Sequence, residues 1–460
     1  MLFEHGTIIT VDGGRRIIED GAILLRGDRI AAVGKAYDLA QAFPDEPRED
    51  LNGNIILPGL VDTHVHLAQA MIRGCADDLE LIEWLGKRVW VLQGNYDEAD
   101  GRASAELCIV EMLKSGTTAF LECMIAARYG LDGIADAVVQ SGIRGVLSKI
   151  VMDTATYASK DDWMHPGMKE DRDATLRQTL EAFDKWNGAG NGRVQVWFGP
   201  RTPGGVSPEL YEEISRLARE RGMGITVHLA EVRADREFLV GTYGLRPVEF
   251  AREVGLLGPR TVLAHVIWVE PDEIRLLAET GTHVAHNPAS NSKLASGFAP
   301  VAEMLDAGVN VAVGCDGGPS NNTYDLLRDL RWVCYLQKAR LLDPQIMPAE
   351  TALEMATING AKALGWDREI GSLEVGKKAD FIAVDIHKPH LTPSPNPVST
   401  VVHCATGADV TLVVIDGRAV VRDGKVLTLD EESVLRTARE RAAALYERAD
   451  VNVKPRWPVV

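Results

Sequence analysis

Short apolar runs alternate with amphipathic segments through the middle of the chain. This alternation is typical of parallel strands joined by crossover helices. The helical segments are clearest in the second half, at 209–221, 271–280 and 300–307. Eight apolar runs predict eight strands, at 56–63, 117–123, 145–153, 194–200, 224–230, 261–268, 283–287 and 309–315. Eight strand–helix units over about 310 residues favour a (β/α)₈ TIM barrel with insertions over an open sheet.

The two ends of the chain have a different pattern, in which short strands alternate with turns. Strands are predicted at 6–11 and 21–25, and the pattern of strands and turns returns at 371–385, 411–416 and 417–421. We therefore predict a small β domain that begins with residues 1–55 and is completed by residues 367–425. The barrel occupies residues 56–366 between them. Residues 426–460 are predicted to form a C-terminal helix, with one apolar face over 431–448, and a tail.

Charge and cysteine content narrow the range of functions. The formal net charge of −17, from 49 basic and 66 acidic residues, argues against nucleic acid and anionic membranes as partners, because both favour clustered Lys and Arg. We expect neither a signal peptide nor a membrane span, since no apolar stretch approaches ~18 residues. The six cysteines form no C-x-x-C pair, which favours free thiols in a reducing compartment. A cytoplasmic enzyme is the expectation.

Histidines recur at the ends of the predicted strands. His64 and His66 are two residues apart and therefore point the same way from the first strand. His228 ends the fifth strand, His265 lies within the sixth, and Asp316 follows the eighth. A single H-x-H pair is weak evidence, because two strand histidines with ordinary hydrogen bonds also produce it. The recurrence at barrel strand ends is what indicates a metal site.

Three imidazoles and one carboxylate suit Zn²⁺ with one position open for water, although Fe²⁺ or Mn²⁺ would also bind such a set. A second, bridged metal would need a Lys or Glu from the fourth strand, and 194–200 contains neither. We therefore predict one divalent metal per subunit. We expect His265 to lie near the attacking water rather than to bind the metal.

Glu231 comes three residues after His228, where the fifth strand opens into its loop. A carboxylate at this position can reach the water without binding the metal. It could accept a proton from that water and pass it to a substrate nitrogen. The competing interpretation is a solvated loop glutamate in a surface ion pair.

Further motifs extend across nearly the whole chain. They are LPGLVDTHVH (57–66), RG (73–74), ADDL (76–79), EWL (83–85), KSGTT (114–118), HLAE (228–231), HNPASN (286–291), DGGPSNN (316–322), AT (356–357) and GKKAD (376–380). With these motifs the chain resembles the amidohydrolase superfamily, specifically its deaminase and chlorohydrolase branch. That branch includes S-adenosylhomocysteine/methylthioadenosine deaminases, guanine and 8-oxoguanine deaminases, and s-triazine hydrolases.

The resemblance implies a (β/α)₈ barrel flanked by a β-sandwich built from both chain ends, a single metal that is usually zinc, and a homodimer or homotetramer. It also implies roles for individual residues. Glu231 becomes the proton shuttle, and His265 and Asp316 steer the attacking water. The implied metal ligands are His64, His66, His228 and Asp316.

The sequence gives weaker evidence for the residues that contact the substrate than for the metal ligands. Trp84 and Trp90 could stack on a flat heterocycle or pack helix against barrel. Arg201 stands where S-adenosylhomocysteine deaminases commonly carry a histidine, which puts a nucleoside substrate in doubt. Its guanidinium could face a substrate carboxylate or carbonyl, or form a structural ion pair. The other candidate contacts, which could equally stabilise a turn, are His286, Ser290 and Asn291.

The predicted function is hydrolytic deamination of an aminated N-heterocycle of purine or nucleoside, pterin or triazine type, with release of ammonia. The first alternative is loss of another leaving group, such as chloride, from a triazine-like ring. A cyclic-amide hydrolase is disfavoured because the bridge for a second metal is absent. A binding protein built on an inactive barrel is disfavoured because every expected ligand is present.

Overall fold

A computed structural model describes residues 1–156 and 164–459 of the chain. In this part of the chain the strands form two sheets. The strands are β1 (Leu2–Ile9), β2 (Ile17–Arg26), β3 (Arg29–Lys35), β4 (Arg48–Asp50), β5 (Ile55–Pro58), β6 (Leu60–His66), β7 (Thr117–Ile125), β8 (Arg144–Val151), β9 (Val194–Pro200), β10 (Ile225–Leu229), β11 (Thr261–His265), β12 (His283–His286), β13 (Val311–Val313), β14 (Asp316–Gly317), β15 (Phe381–Val384), β16 (Val410–Ile415), β17 (Arg418–Arg422) and β18 (Lys425–Val426).

The sheet from β6 to β14 is a parallel barrel. Strands β6 to β13 pair with their neighbours in chain order, all in parallel. Strand β14 follows β13 after two residues and pairs with β6 at the other end of the sheet. The last strand thus returns to the first, and the barrel predicted from the sequence is confirmed. Each of the eight predicted apolar runs contains or overlaps one of the strands β6 to β13.

Helices connect the barrel strands and line its outer surface. The predicted helices at 209–221, 271–280 and 300–307 correspond to observed helices within one residue at each end. The helices are α1 (Ala36–Ala42), α2 (Leu81–Trp84), α3 (Trp90–Gln93), α4 (Glu98–Lys114), α5 (Leu131–Ser141), α6 (Arg172–Trp186), α7 (Ala189–Gly192), α8 (Pro208–Arg221), α9 (Arg233–Tyr243), α10 (Pro247–Glu253), α11 (Pro271–Thr280), α12 (Pro288–Lys293), α13 (Val301–Asp306), α14 (Gly318–Asn321), α15 (Leu326–Leu341), α16 (Ala349–Met355), α17 (Ile358–Ala363), α18 (Pro397–His403) and α19 (Glu431–Arg448). In the described part of the chain, none of these is long and apolar enough to cross a membrane.

The second sheet is mixed and joins the two ends of the chain. Its order is β18-β17-β16-β15-β5-β1-β2-β3, with β4 paired to β1. The antiparallel pairing of β5 with β15 links the N-terminal strands to the C-terminal ones. The sheet has a separate apolar core, in which the rings of Phe3 and Phe381 meet edge to face with centroids 5.4 Å apart. This is the flanking β structure expected from both chain ends.

Strand boundaries in this region differ from the prediction at several points; for example, β2 begins at Ile17 rather than at residue 21. Strand β1 begins at Leu2 rather than at residue 6, because a register shift at the positive-φ residue His5 interrupts the alternation of apolar and polar side chains. The run predicted as a single strand at 56–63 is divided at Gly59 between the flanking sheet and the barrel. Glycine is required there because a Cβ would collide with the Thr118 side chain.

A buried ion-pair network joins the barrel to the flanking sheet. Arg144, at the start of β8, donates to both carboxylate oxygens of Asp380, at 2.6 and 3.0 Å, and also to Asp416. All three side chains are buried. Arg144 therefore provides the positive charge that pairs with Asp380, whereas Asp416 is also paired with Arg193 and Lys378.

Substitution of Arg144 by methionine should lower the free energy of unfolding by about 3–5 kcal/mol, because it leaves the buried Asp380 carboxylate without the arginine that pairs with it. Urea unfolding followed by intrinsic fluorescence measures the change. Arg216→Met is the matched control, since the Arg216–Glu220 pair is half exposed and should contribute less than ~1 kcal/mol. Equal effects of the two substitutions would contradict the role given to Arg144.

Candidate metal centre and active-site cavity

Five polar side chains converge at the carboxyl ends of the barrel strands. His64 and His66 end β6, His228 lies near the end of β10, His265 ends β11, and Asp316 begins β14. The ring centroids of neighbouring imidazoles are 4.8 to 5.5 Å apart. The structure thus brings together every residue that the sequence indicated as a metal ligand or water-steering group.

The arrangement of their donor atoms fits a metal ion. Nε2 of His66 lies 3.2 Å from Oδ1 of Asp316 and 3.3 Å from Nε2 of His228. His64 is fully buried, and neither of its ring nitrogens has a hydrogen-bond partner among the described residues, although its Nε2 is 3.5 Å from the same Oδ1. Imidazole nitrogens and a carboxylate oxygen that converge in this way form a donor set for a divalent metal such as zinc. Two groups have ligand atoms within 4.8 Å of one another: His64, His66 and Asp316, and His64, His228 and His265.

Burial sets the charge states of these groups. It lowers the pKa of His64 to about 4 and also lowers the pKa of His228, so both imidazoles are neutral and available to a metal. Burial alone would raise the pKa of Asp316, but the contacts with His64 and His66 outweigh it and hold that pKa well below its usual range. Burial, together with the charge of Asp316, raises the pKa of Glu231 well above its usual range. Two neighbouring carboxyl groups with opposite shifts are typical of an acid–base pair.

The backbone is strained where these side chains are presented. Ala230, His265 and Asp316 have positive φ angles of 54°, 71° and 66°. Each lies at or next to the end of a barrel strand, and a non-glycine residue in this region costs of order 1–3 kcal/mol. Strain at three strand ends around one cluster is the pattern of a functional site.

A cavity opens onto the cluster and contains Glu231 in its wall. Glu231 is buried, and its Oε2 lies 3.7 Å from Nε2 of His265. Trp84, Trp90 and Arg201, which were predicted to contact the substrate, also line the cavity. The Arg201 guanidinium lies over the Trp90 ring, 5.0 Å from its centroid. The cavity therefore combines a polar floor with aromatic walls, as ligand sites commonly do.

The other three predicted substrate contacts lie behind the cluster instead of in the cavity wall. Ser290 donates a hydrogen bond to Oδ2 of Asp316 at 2.5 Å, and Oδ1 of Asn291 lies 2.8 Å from Nδ1 of His265. His286 is buried, and burial lowers its pKa to about 3. Neither of its ring nitrogens has a hydrogen-bond partner within 1–156 and 164–459.

Three polar residues of the site were not predicted. Gln69 and Gln93 line the cavity, and Glu122 is buried beside it, where it accepts a 2.5 Å hydrogen bond from the Leu67 N–H. Burial raises the pKa of Glu122 to about 7. The available signal was a carboxylate inside the apolar run 117–123, and a glutamine only three residues after His66.

A barrel with a histidine-rich cluster at the carboxyl ends of its strands is typical of metal-dependent hydrolases. The model of the amidohydrolase family matches residues 55–420, and the chain belongs to this family. A model of the imidazolonepropionase-like composite domain of bacteria matches residues 21–45. The resemblance stated from the sequence motifs is therefore confirmed.

Individual relatives match nearly the whole chain. The 5-methylthioadenosine/S-adenosylhomocysteine deaminase of Moorella thermoacetica is 37% identical over 96% of this chain and 98% of its own. A solved adenosine deaminase from Xanthomonas campestris, with bound zinc, superposes with a TM-score of 0.89 at 29% identity, over 97% of this chain and 98% of its own. The atrazine chlorohydrolase of Arthrobacter aurescens, solved in complex with zinc, superposes with a TM-score of 0.87 at 27% identity, over 96% and 99%.

Proposed function

We propose that this protein is a metal-dependent hydrolytic deaminase of an aminated purine nucleoside or a closely related N-heterocycle. The general prediction from the sequence, hydrolytic deamination of an aminated N-heterocycle, is confirmed by the deaminase relatives. The observation that carries the proposal is the arrangement of the site. The histidine and Asp316 donor atoms converge at one point, and the buried Glu231 carboxyl lines the cavity that opens onto them.

One divalent ion, most consistently Zn²⁺, would be held by His64, His66, His228 and Asp316. A bound ion of this kind lowers the pKa of coordinated water to about 7 and so supplies a nucleophile at neutral pH. His265 also lies close enough to His64 and His228 to be considered as a ligand. We assign it a different role, because its Nδ1 contacts Asn291 and its Nε2 faces Glu231.

Each residue has a defined task in the reaction. The water oxygen adds to the ring carbon that carries the amino group, while Glu231 gives its proton to the adjacent ring nitrogen and regains one from the water. The carbon–nitrogen bond to the amino group then breaks. A second proton from the water reaches the departing nitrogen, so that ammonia leaves and the ring carbon becomes a carbonyl. His265 and Asp316 orient the attacking oxygen.

The cavity walls favour a flat ring with a side arm. Trp84 offers an aromatic face, and the stacked Arg201 and Trp90 place a positive charge in the wall. Arg201 is expected to contact an oxygen-rich part of the substrate, such as a sugar or a carboxylate, because a guanidinium donates several hydrogen bonds in one plane.

Hydrolytic dechlorination of a triazine-like ring is the second candidate. The structural likeness to the atrazine chlorohydrolase favours it. Chloride needs no proton to leave, so this reaction depends less on a proton donor than deamination does.

The deciding experiment counts metal ions per subunit and measures ammonia release from a panel of aminated nucleosides, free purines, pterins and triazines. About one zinc ion per subunit with ammonia from one class of substrate would support the proposal and name the ring. One zinc ion with chloride released from chlorotriazines, and no ammonia from any panel member, would favour the second candidate. A protein that binds no metal would overturn both.

The resemblance also implies a homodimer or homotetramer, and we include this assembly in the proposal. Light scattering coupled to size-exclusion chromatography measures the subunit count. All six cysteines are free thiols in the structure. A cytoplasmic location, which the free thiols suggest, is likewise part of the proposal.

A further inference from the structure

The short helix α12 contacts two of the side chains proposed to act on the substrate. Its residues Ser290 and Asn291 are adjacent in sequence and about 1–2% exposed. One contacts Asp316 and the other contacts His265. Neither lines the cavity, so the two residues reach the reaction only through other side chains.

The two oxygens of the Asp316 carboxylate have different partners, and one of those partners is Ser290. Oδ1 faces the histidines, at 3.2 Å from His66 Nε2 and 3.5 Å from His64 Nε2. Oδ2 accepts the hydroxyl hydrogen of Ser290 at 2.5 Å. A carboxylate held on one side cannot rotate freely, so the hydrogen bond presents a single oxygen to the proposed metal.

Asn291 acts in the same way on His265. Its Oδ1 lies 2.8 Å from Nδ1 of His265, and the opposite ring nitrogen points toward Glu231. An imidazole whose Nδ1–H donates to an amide oxygen has an unprotonated Nε2. The contact therefore helps to hold the orientation of the ring, which the Asn287 amide nitrogen also contacts at 3.3 Å from Nδ1 and 3.4 Å from Nε2.

The helix that carries both residues is fastened at its end. Lys293 donates to Asp77 Oδ1 at 2.6 Å, to the Pro319 carbonyl at 2.7 Å and to Asn322 Oδ1 at 2.7 Å. Pro319 and Asn322 lie in and just after α14, which begins two residues after Asp316. One lysine thus ties α12 to the segment that presents the carboxylate.

We infer that Ser290 and Asn291 are positioning residues, which hold the Asp316 carboxylate and the His265 ring for the reaction and do not contact the substrate. This assignment replaces the substrate-contact role predicted for them from the sequence, and it rests on the proposed function. Loss of partners behind metal-site residues commonly reduces metal affinity or activity by about 10–100-fold.

The test uses zinc-loaded full-length protein with Ser290→Ala, Ser290→Thr and the control Ser292→Ala. Ser292 lies on the same helix, and its hydroxyl donates to the Pro288 carbonyl, away from the cluster. Three quantities are measured: zinc affinity by chelator competition, the visible spectrum of the cobalt-substituted protein, and kcat and KM.

For Ser290→Ala we expect about a 10–100-fold loss in zinc affinity or kcat, a changed cobalt spectrum and a KM within about threefold of the wild type. Ser290→Thr, which keeps the hydroxyl, should recover most of the loss, and Ser292→Ala should match the wild type. Asn291→Leu should lower kcat with unchanged zinc affinity.

Two results would overturn the inference. One is a Ser290→Ala protein that matches Ser292→Ala in zinc affinity, cobalt spectrum and kcat. The other is a rise in KM for some substrates and not others, which would restore the substrate-contact role. Failure of the proposed function can be distinguished from failure of this inference. If the proposed function is wrong, the wild type releases no ammonia, but the zinc affinity and the cobalt spectrum still show whether Ser290 positions Asp316.

Discussion

Replacement of Glu231 by glutamine should lower kcat for deamination by about 10³-fold, with the metal content unchanged. The glutamine amide keeps the size of the side chain but carries no transferable carboxyl proton, and general acid–base catalysis contributes roughly 10²–10⁴-fold. Glu231 lines the cavity beside His265 and is absent from both groups of clustered metal-binding atoms. Steady-state ammonia release together with zinc analysis of the same sample measures both parts of the expectation.

The control for this substitution is Glu237→Gln, on the exposed side of α9 only six residues further along the chain. It makes the same chemical change without reaching the cavity, so its kcat should equal that of the wild type. If Glu231→Gln keeps more than a tenth of the wild-type kcat, Glu231 is not the proton shuttle.

The same variant separates the two candidate reactions. On a chloro-substituted analogue of the substrate, Glu231→Gln should lose less activity than on the amino compound, because chloride leaves without a proton. A loss of equal size on both compounds would place the main task of Glu231 at the ring nitrogen, which both reactions need to protonate.

The barrel and the residues proposed to take part in the reaction can both be predicted from the sequence. Parallel strands buried on both faces appear as continuous apolar runs, and side chains at their carboxyl ends meet in one place whatever the loop lengths between them. His64, His228 and Asp316 could therefore be assigned to one cluster although they are far apart in the chain. Their convergence follows from the topology alone.

The sequence does not predict where the side chains in the segments after the strands point. Ser290 and Asn291 could face either the substrate or the residues behind it, and only the backbone of α12 decides that they contact Asp316 and His265. In the same way, a continuous apolar run does not reveal the bend at Gly59 that sends its two halves into different sheets. Both depend on tertiary packing, which leaves no local periodicity.

Substitution of His66 by asparagine should remove the metal and lower deaminase activity by about 10³-fold or more. A catalytic metal contributes several kcal/mol to the transition state, and each 1.36 kcal/mol corresponds to a factor of ten. His66 is the sensitive position because its Nε2 is within 3.3 Å of both His228 and Asp316. The measurements are zinc per subunit after dialysis, and the rise in melting temperature on addition of zinc. That rise reports binding independently of activity, since a ligand that binds only the folded state stabilises it.

His387→Asn is the matched control for His66→Asn. His387 is exposed, bonds the Asn52 carbonyl in the flanking region and lies outside both groups of clustered metal-binding atoms. It should leave the zinc content, the zinc-dependent rise in melting temperature and the activity at wild-type values. A His66→Asn protein that retains one zinc ion with unchanged affinity would move the metal to the other cluster, formed by His64, His228 and His265. In that event His265 would be a metal ligand, and Asn291 would orient the ring of that ligand through its contact with Nδ1.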